Sequence, residues 1–180
     1  FILSSTGTSE SVTSARSGHI DNDGEDRFLV LDRGQRNEQD ATTGDKTLSL
    51  DDFKGSNLVI YFYPKDSTPG CTLEGQDFRD RSEDFRAART TILGVSRDSV
   101  KSHENFKAKQ RLPFDLLSDA DETLCRQFDV IHAKNMYGRT VMGVVRSTFL
   151  IDSNGILRQE WRQVRVKGHV DEVLEAARAL

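Results

Sequence analysis

The chain has 180 residues, of which 30% are charged and 36% are hydrophobic, and this length suffices for one domain with its own core. The formal net charge of −4 argues against nucleic acid and anionic membranes as partners, and no apolar run approaches the ~18 residues of a membrane-spanning helix. Two cysteines, Cys71 and Cys125, are too few for a disulfide scaffold in a domain of this size. They favour a reducing compartment in which a thiol is used for chemistry.

The N-terminal stretch differs in composition from the rest of the chain. Residues 1–20 contain nine Ser or Thr and lack the hydrophobic segment of a secretory signal. We therefore expect residues 1–27 to be a flexible extension and residues 28–180 to form the folded domain. A second interpretation is the end of an organellar transit peptide, so the expected location is cytoplasmic, or organellar on that alternative.

Hydrophobic runs bounded by turn residues divide the remaining chain into strands and helices. The first predicted elements are a strand at 28–31, a loop at 32–46, a strand at 47–50, a tight helical turn at 51–55, a strand at 58–63 and a helix at 69–88. A strand at 91–96, a helix at 100–110, a strand at 114–117, a helix at 120–128 and a loop at 132–143 follow. The last elements are strands at 144–151 and 156–161, joined by a turn at 153–155, and a helix at 169–180.

Side-chain patterns add detail to the helices. The helix at 69–88 is expected to bury Leu73, Phe78, Phe85 and Ala88. Asp98 or Ser99 is expected to cap the helix at 100–110, and Ser118 or Asp119 the helix at 120–128.

The order of these elements predicts an α/β fold. A helix joins the strands at 58–63 and 91–96, which makes that pair parallel, whereas the strands at 144–151 and 156–161 form an antiparallel hairpin. The prediction is a thioredoxin-like three-layer α/β/α sandwich with a mixed central sheet.

Cys71 lies where a buried strand gives way to a helix. In the segment Thr68-Pro69-Gly70-Cys71, Thr68 can be the N-cap and Pro69 suits the first helical position, because its missing N–H would have no partner there. Free backbone N–H groups and the positive end of the helix dipole then face Cys71, which favours a thiolate. A lone cysteine beside a buried strand is more often inert packing, but the helix start favours a nucleophile here.

The segment Pro64-x-x-x-Thr68-x-x-Cys71 matches the active-site pattern of the peroxiredoxins. The wider run, residues 61–74, resembles the bacterioferritin-comigratory or PrxQ subfamily, and so do the segments at 93–98, 117–119, 134–138 and 146–152. The resemblance covers residues 47–180 and includes the thioredoxin-like fold. It implies reduction of hydrogen peroxide and organic hydroperoxides by thiol chemistry, without metal, haem or flavin.

The resemblance also implies roles for the residues around the thiol. Cys71 as a thiolate attacks the terminal peroxide oxygen and becomes a sulfenic acid. Negative charge develops on the leaving oxygen, so fixed hydrogen-bond donors would lower the barrier. The Thr68 hydroxyl and the N–H groups of Gly70 and Cys71 are the candidate donors.

Arg146 stands in an otherwise apolar predicted strand. Its spacing alone indicates a residue at a strand end that faces solvent, because a buried Arg is costly unless it is paired. The resemblance instead implies the cation that keeps Cys71 ionised and binds the peroxide. Glu74 could orient this Arg or merely stabilise the helix dipole, and Pro64 could shield the thiolate or merely end the strand.

A resolving cysteine, which would condense with the sulfenic acid, is expected at one of two positions in PrxQ-type proteins. Those positions hold Gln76 and Lys107 here. Cys125, beside Leu124 and Phe128 in a predicted helix, is either a half-buried packing residue or a resolving thiol that needs substantial movement. We therefore expect one-cysteine behaviour, with thioredoxin, glutaredoxin or glutathione as the external reductant.

Two rival functions can be weighed on the sequence. A dithiol oxidoreductase needs Cys-x-x-Cys, and Glu74 occupies the second position. A peroxide sensor or chaperone-like redox-binding protein would use the same activated cysteine and stays open. We expect a monomer or weak homodimer that binds neither nucleic acid nor membrane.

Overall fold

The computed structural model describes residues 2–6, 9–13, 18–23, 26–31, 45–47 and 50–180. Its strands are β1 (Ile2–Thr6), β2 (Ser9–Thr13), β3 (Gly18–Asp23), β4 (Asp26–Leu31), β5 (Asp45–Thr47), β6 (Asn57–Phe62), β7 (Thr90–Ser96), β8 (Asp115–Ser118), β9 (Ile131–Met136), β10 (Arg139–Val144), β11 (Ser147–Ile151) and β12 (Ile156–Trp161). A 3₁₀ turn, Leu50–Phe53, precedes the helices α1 (Pro69–Asp80), α2 (Ser82–Ala87), α3 (Val100–Gln110), α4 (Thr123–Gln127) and α5 (His169–Arg178).

The main sheet has the strand order β3-β4-β12-β11-β6-β7-β8-β2-β1-β5. Strands β6, β7 and β8 are parallel neighbours, whereas β11 is antiparallel to both β6 and β12. These pairings confirm the predicted mixed sheet, the parallel pair formed by β6 and β7, and the antiparallel return from β11 to β12. Within the described residues no helix is long and apolar enough to cross a membrane.

Side chains alternate along the buried strands and supply a core on each face of the main sheet, as strand geometry requires. The face termed the Cys71 face is covered by α1, α2, α3 and α5, and its core comprises Val59, Tyr61, Tyr63, Cys71, Phe78, Phe85, Ile92, Phe106, Leu112, Phe114, Leu116, Leu150, Val170, Val173, Leu174 and Ala177. The face termed the Cys125 face is covered by α4 and by the β9–β10 hairpin. Its core comprises Leu58, Ile60, Phe62, Leu93, Val95, Leu117, Leu124, Cys125, Phe128, Val130, Ile131, Val144, Phe149, Ile151 and Leu157.

The loop predicted at 132–143 is wrong, because this stretch forms the antiparallel hairpin of β9 and β10. Tyr137 and Gly138 turn the chain with φ of 52° and 78°. Two positive φ angles are the mark of a two-residue type I′ turn, whose usual sequence is Asn-Gly. A Tyr in that conformation is uncommon, so the local sequence did not reveal the turn.

The single helix predicted at 69–88 is also wrong, since the chain forms α1 and α2 with a break at Arg81. Phe78 and Phe85 are buried as predicted, but the Leu73 side chain is 47% exposed. Ala88 is only partly buried and lies just past the end of α2, so one continuous apolar stripe does not describe both helices.

Other predicted elements hold with altered ends. Ser99 caps α3 by accepting the N–H of Ser102, and the Asp119 carboxylate accepts two N–H groups at the start of the shortened α4. The strand predicted at 144–151 is interrupted at residues 145–146, between β10 and β11. Of the strand predicted at 47–50, Thr47 ends β5, which pairs with β1, Leu50 begins the 3₁₀ turn, and residues 48–49 lie outside the described residues. The division of the chain into an extension at 1–27 and a folded domain at 28–180 stays a prediction.

Candidate active site

Cys71 lies in the first turn of α1, beyond the carboxyl end of β6. Thr68 has the extended backbone of an N-cap residue, with φ of −85° and ψ of 152°, and Pro69 begins the helix. The N–H groups of Gly70 and Cys71 lie in the first turn, where helix geometry offers no intrahelical acceptor. Only 2% of the Cys71 side chain is exposed, so its sulfur is enclosed at the positive end of the helix dipole.

Arg146 reaches this sulfur from the break between β10 and β11. Its Nη2 group donates to the Cys71 sulfur at 3.3 Å. Gly70 leaves room for this contact, because a Cβ atom there would lie 3.3 Å from the same nitrogen. The guanidinium is permanently charged, so it places a positive charge and a fixed donor directly on this sulfur. Arg146 therefore faces the site and not the solvent.

Glu74 is the third ionisable side chain of the site and lies one turn after Cys71 on α1. Its side chain is fully buried and accepts a hydrogen bond from Nη1 of Arg146. Burial raises the pKa of Glu74 to about 7, although the charge and hydrogen bond of Arg146 act in the opposite direction. The structure therefore brings Cys71, Arg146 and Glu74 together, and Glu74 contacts the guanidinium as the orienting hypothesis requires.

Thr68 occupies the N-cap position without making the side-chain bond expected of it. Its hydroxyl donates to the carbonyl of Lys65 at 2.9 Å and accepts no N–H from α1. With its proton committed, the hydroxyl oxygen can accept a hydrogen bond from the O–H of a peroxide, whereas the sequence suggested a donor. Pro64 is half-buried at the start of the same loop, between β6 and α1.

Lys134 is a second cation near the thiol, and the sequence interpretation missed it. It extends from β9 across Gly143, and its ammonium donates to the carbonyl of Val144. Burial and the charge of Arg146 lower the pKa of Lys134, while the charge of Cys71 raises it. The signal that could have revealed it is the pair Tyr137-Gly138, because a hairpin turn there pairs β9, which carries Lys134, with β10, which ends shortly before Arg146.

His169 is another group that the sequence did not assign to this region. Its Nε2 atom lies 2.8 Å from the hydroxyl oxygen of Thr148, which is in β11 two residues after Arg146. Burial, with a further contribution from Arg146, lowers the pKa of His169 to about 4. The imidazole is therefore neutral at pH 7 and adds no charge to the site.

Cys125 is remote from Cys71, because it belongs to the core on the other face of the main sheet. Its N–H donates to the Asp119 carboxylate at 2.7 Å. Burial and the negative charge of Asp119 raise the pKa of the Cys125 thiol well above its ordinary value. The structure thus does not bring Cys125 to the other predicted site residues.

The two usual positions of a resolving cysteine are occupied by polar side chains with partners. Gln76 donates to the side-chain carbonyl of Gln110 at 2.9 Å, and Lys107 donates to the Asp115 carboxylate at 2.6 Å. The first contact joins α1 to α3, and the second joins α3 to β8.

Known proteins match this chain over most of its length. The AhpC/TSA family matches residues 35–160. Peroxiredoxin Bcp of Xanthomonas campestris is 58% identical over 139 residues, which are 77% of this chain and 87% of that protein. Peroxiredoxin Bcp of Bacillus subtilis is 48% identical over 149 residues, which are 82% of this chain and 95% of that protein.

A solved structure agrees with these sequences. The bacterioferritin comigratory protein of Xanthomonas campestris, studied for alkyl peroxide reduction, superposes with a TM-score of 0.71 at 55% identity, over 77% of this chain and 87% of that chain. The fold is therefore the thioredoxin-like fold of the peroxiredoxins. With an enclosed Cys71 at a helix start, an arginine on its sulfur and relatives of this similarity, the chain belongs to the AhpC/TSA family as a peroxiredoxin of the Bcp or PrxQ type.

Proposed function

We propose that this peroxiredoxin is a thiol peroxidase that reduces hydrogen peroxide and organic hydroperoxides through a sulfenic acid on Cys71 and is regenerated by an external thiol. The observation that carries the proposal is the 3.3 Å contact between Arg146 and the Cys71 sulfur at the start of α1. Organic hydroperoxides are included because the Xanthomonas relative is described by its alkyl peroxide reduction.

In the first half-reaction, the Cys71 thiolate attacks the terminal peroxide oxygen. The O–O bond breaks, its electron pair goes to the departing oxygen, and that oxygen takes a proton and leaves as water or an alcohol. The sulfur is oxidised to a sulfenic acid. Arg146 and the first N–H groups of α1 are fixed donors where negative charge develops, and the Thr68 hydroxyl can accept a hydrogen bond from the O–H of the peroxide.

In the second half-reaction, an external thiol condenses with the sulfenic acid. Water leaves and a mixed disulfide forms, which a second thiol cleaves to restore the Cys71 thiol and release an oxidised disulfide. Glutathione, glutaredoxin and thioredoxin are the candidate reductants. The position of Cys125 on the other face of the sheet supports an external thiol over an internal one.

A relative differs from this chain at the position of its second cysteine. Two solved structures of Xanthomonas peroxiredoxin Q each carry a Cys-to-Ser mutation, and the two positions are as far apart along that chain as Cys71 and Lys107 are here. Where that protein has its second cysteine, equal spacing puts the ammonium of Lys107, which cannot form a disulfide.

The test is the mass of the intact protein after one equivalent of peroxide, for the wild type and for Cys125→Ser. We expect both proteins to gain one oxygen and neither to form an internal disulfide. An internal disulfide in the wild type alone would overturn the one-cysteine mechanism, and Cys71→Ser that still consumes peroxide would overturn the whole proposal.

Turnover with excess thiol separates the enzyme from the rival sensor. An enzyme consumes many equivalents of peroxide, whereas a pure sensor stops after one. The sensor is not favoured, because the relatives with the highest similarity reported above are peroxiredoxins. A monomer or weak homodimer located in the cytoplasm stays the prediction for assembly and location.

A further inference from the structure

A buried carboxylate lies in the loop between β6 and α1, on the Cys71 face. Only 6% of Asp66 is exposed, and burying a carboxylate is costly unless hydrogen bonds and a cation compensate. Its oxygens accept from the hydroxyl of Tyr63 at 2.8 Å and from the hydroxyl of Ser102 at 2.7 Å. The Nδ1 atom of His103 lies 2.9 Å from the same carboxylate. Asp66 is therefore fully engaged.

His103 connects this carboxylate to the main sheet. It is 1% exposed, and its Nε2 atom lies 3.1 Å from the carbonyl of Leu117 in β8. A carbonyl only accepts, so Nε2 donates to it, and Nδ1 is the ring nitrogen that faces the carboxylate. Burial raises the pKa of Asp66, but the hydrogen bond and charge of His103, together with the hydrogen bonds of the Ser102 and Tyr63 hydroxyls, hold that pKa below its ordinary value. Asp66 and His103 thus form a buried, hydrogen-bonded pair that joins the loop to β8.

The backbone of Asp66 is held by a hydrogen bond, as its side chain is. Its N–H donates to the Asp98 carboxylate at 2.8 Å. Asp98 in turn accepts from the Ser96 hydroxyl at 2.7 Å, and its carbonyl accepts from the Ser118 hydroxyl at 2.6 Å. One loop residue is thus joined to the ends of β7 and β8 and to the first turn of α3.

The loop that these hydrogen bonds hold leads directly into the first turn of α1, which carries Cys71. Ser67, the next residue, has a φ of 58°, a left-handed conformation that costs free energy in a residue other than glycine. Such a conformation persists only where the surroundings impose it, and Asp66 supplies the attachment. Thr68 and the first turn of α1 follow, so the position of Cys71 depends on this anchor.

The two half-reactions need opposite conformations of this loop. A peroxide is small and needs the loop in place, because Thr68, the helix N–H groups and Arg146 must surround the sulfur together. An external thiol carried by a peptide or protein must approach an oxidised sulfur whose residue is 2% exposed. It can do so only when the loop or the first turn of α1 moves aside.

We infer that Asp66 and His103 are positioning residues that hold the loop before Cys71 closed, and that this buried pair sets the balance between reaction with peroxide and access of the external thiol. The inference rests on the proposed function and adds a control element to it. Neither residue touches the reacting atoms, because their partners are Tyr63, Ser102 and the Leu117 carbonyl.

The test measures the two half-reactions separately in Asp66→Asn. The rate constant of the reduced protein with hydrogen peroxide is compared with that of the pre-formed sulfenic acid with glutathione. We expect the peroxide rate constant to fall roughly ten- to a hundredfold, since small misplacements of reacting groups have effects of that size. The glutathione rate constant should be unchanged or higher, and amide hydrogen exchange at residues 64–72 should become faster.

Asp115→Asn is the matched control. The contact between Lys107 and Asp115 also joins α3 to β8, but it does not touch the loop. Both half-reactions should stay at wild-type rates in this variant. If Asp66→Asn slows both half-reactions alike, or changes neither, the inference is overturned.

Ser102→Ala keeps the contact between Asp66 and His103 and removes one hydroxyl donor, so it serves if Asp66→Asn fails to fold. It should lower the ratio of the peroxide to the glutathione rate constant in the same direction and by less, and an unchanged ratio would overturn the inference. Failure of the proposed function is distinguishable, because the wild type itself would then not turn over peroxide with thiol.

Discussion

The two faces of the main sheet each bury one cysteine, and the two thiols are equally enclosed, at 2% exposure for Cys71 and 0% for Cys125. Their surroundings differ in charge. The guanidinium of Arg146 donates to the Cys71 sulfur, whereas the carboxylate of Asp119 lies beside Cys125 and raises its pKa. Burial therefore does not distinguish the two thiols, whereas the sign of the neighbouring charge does, and on the proposed function it is this charge that selects Cys71.

The arginines of the two faces show the same contrast. Arg146 donates to the thiol of its face. Arg162, on the Cys125 face, lies over the ring of Phe149 at 4.7 Å and donates to the carbonyls of Phe128 and Asp129. It closes a core and contacts no reactive group among the described residues.

Arg146→Met should have the largest effect, because it removes the charge that distinguishes the surroundings of Cys71 from those of Cys125. It keeps the bulk of the side chain and removes both the cation and the donor on the Cys71 sulfur. We expect kcat/KM for hydrogen peroxide to fall roughly 10²- to 10³-fold, the usual effect of removing a fixed donor at a developing charge. Steady-state peroxidase assays with excess thiol measure this loss.

Arg162→Met is the control for that prediction. It should leave kcat/KM within about twofold of the wild type and lower the free energy of unfolding by about 1 kcal/mol, the scale of a cation–π contact. Equal losses of activity in the two variants would mean that the effect reflects general damage and not the charge at the thiol.

Glu74→Gln tests the buried acid on the Cys71 face through stability. The pKa of Glu74 is about 7 in the folded state, against 4.5 ordinarily, so between these values the folded protein binds a proton that the unfolded chain releases. This contribution to stability is complete below pH 4.5 and is lost as the pH rises through 7. The wild type should therefore lose about 3 kcal/mol relative to the variant between pH 4.5 and pH 8. Urea unfolding at several pH values measures the difference, and parallel curves would contradict the prediction.

His169→Gln should show the opposite slope on the same face. The pKa of His169 is about 4 in the folded state, against 6.5 ordinarily, so the unfolded chain binds more protons between these values. Its contribution is present above pH 6.5 and is lost as the pH falls through 4, by about 3 kcal/mol in all. The wild type should lose that amount relative to the variant on acidification, as measured by the same unfolding series. A difference that grew with rising pH would refute the assignment.

Asp119→Ala gives the smallest expected effect and belongs to the Cys125 face. Its carboxylate accepts the N–H groups of Leu124 and Cys125, so its loss should cost about 1 kcal/mol of unfolding free energy, as for other helix caps. Thermal unfolding measures this cost. Peroxidase activity should not change, and a marked loss would show that the two faces are coupled.

Local signals were enough to predict the start of α1. Thr68 and Pro69 determine a helix start through the backbone alone, so the position of Cys71 in the first turn followed from neighbouring residues. The buried strands β6 and β7 followed in the same way, from short apolar runs.

The contacts that complete the site could not be derived from local signals. Arg146 faces Cys71 because the chain breaks between β10 and β11, and spacing along the sequence indicated a residue facing solvent. Only the resemblance to a family suggested its role. Asp66 and His103 are 37 residues apart, so their pairing depends on how α3 packs against the loop. Lys134 was missed for a related reason, because its hairpin turns at a tyrosine in a left-handed conformation.

The separation of the two thiols by the main sheet has a consequence for how long the protein survives. An internal partner would trap the oxidised sulfur of Cys71 as a disulfide, but Gln76 and Lys107 offer none. On the proposed one-cysteine mechanism, the lifetime of the oxidised form is then set by the supply of thiol outside the protein. When peroxide arrives faster than the thiol, we expect a second equivalent to convert the sulfur to a sulfinic acid, and that molecule is then inactivated.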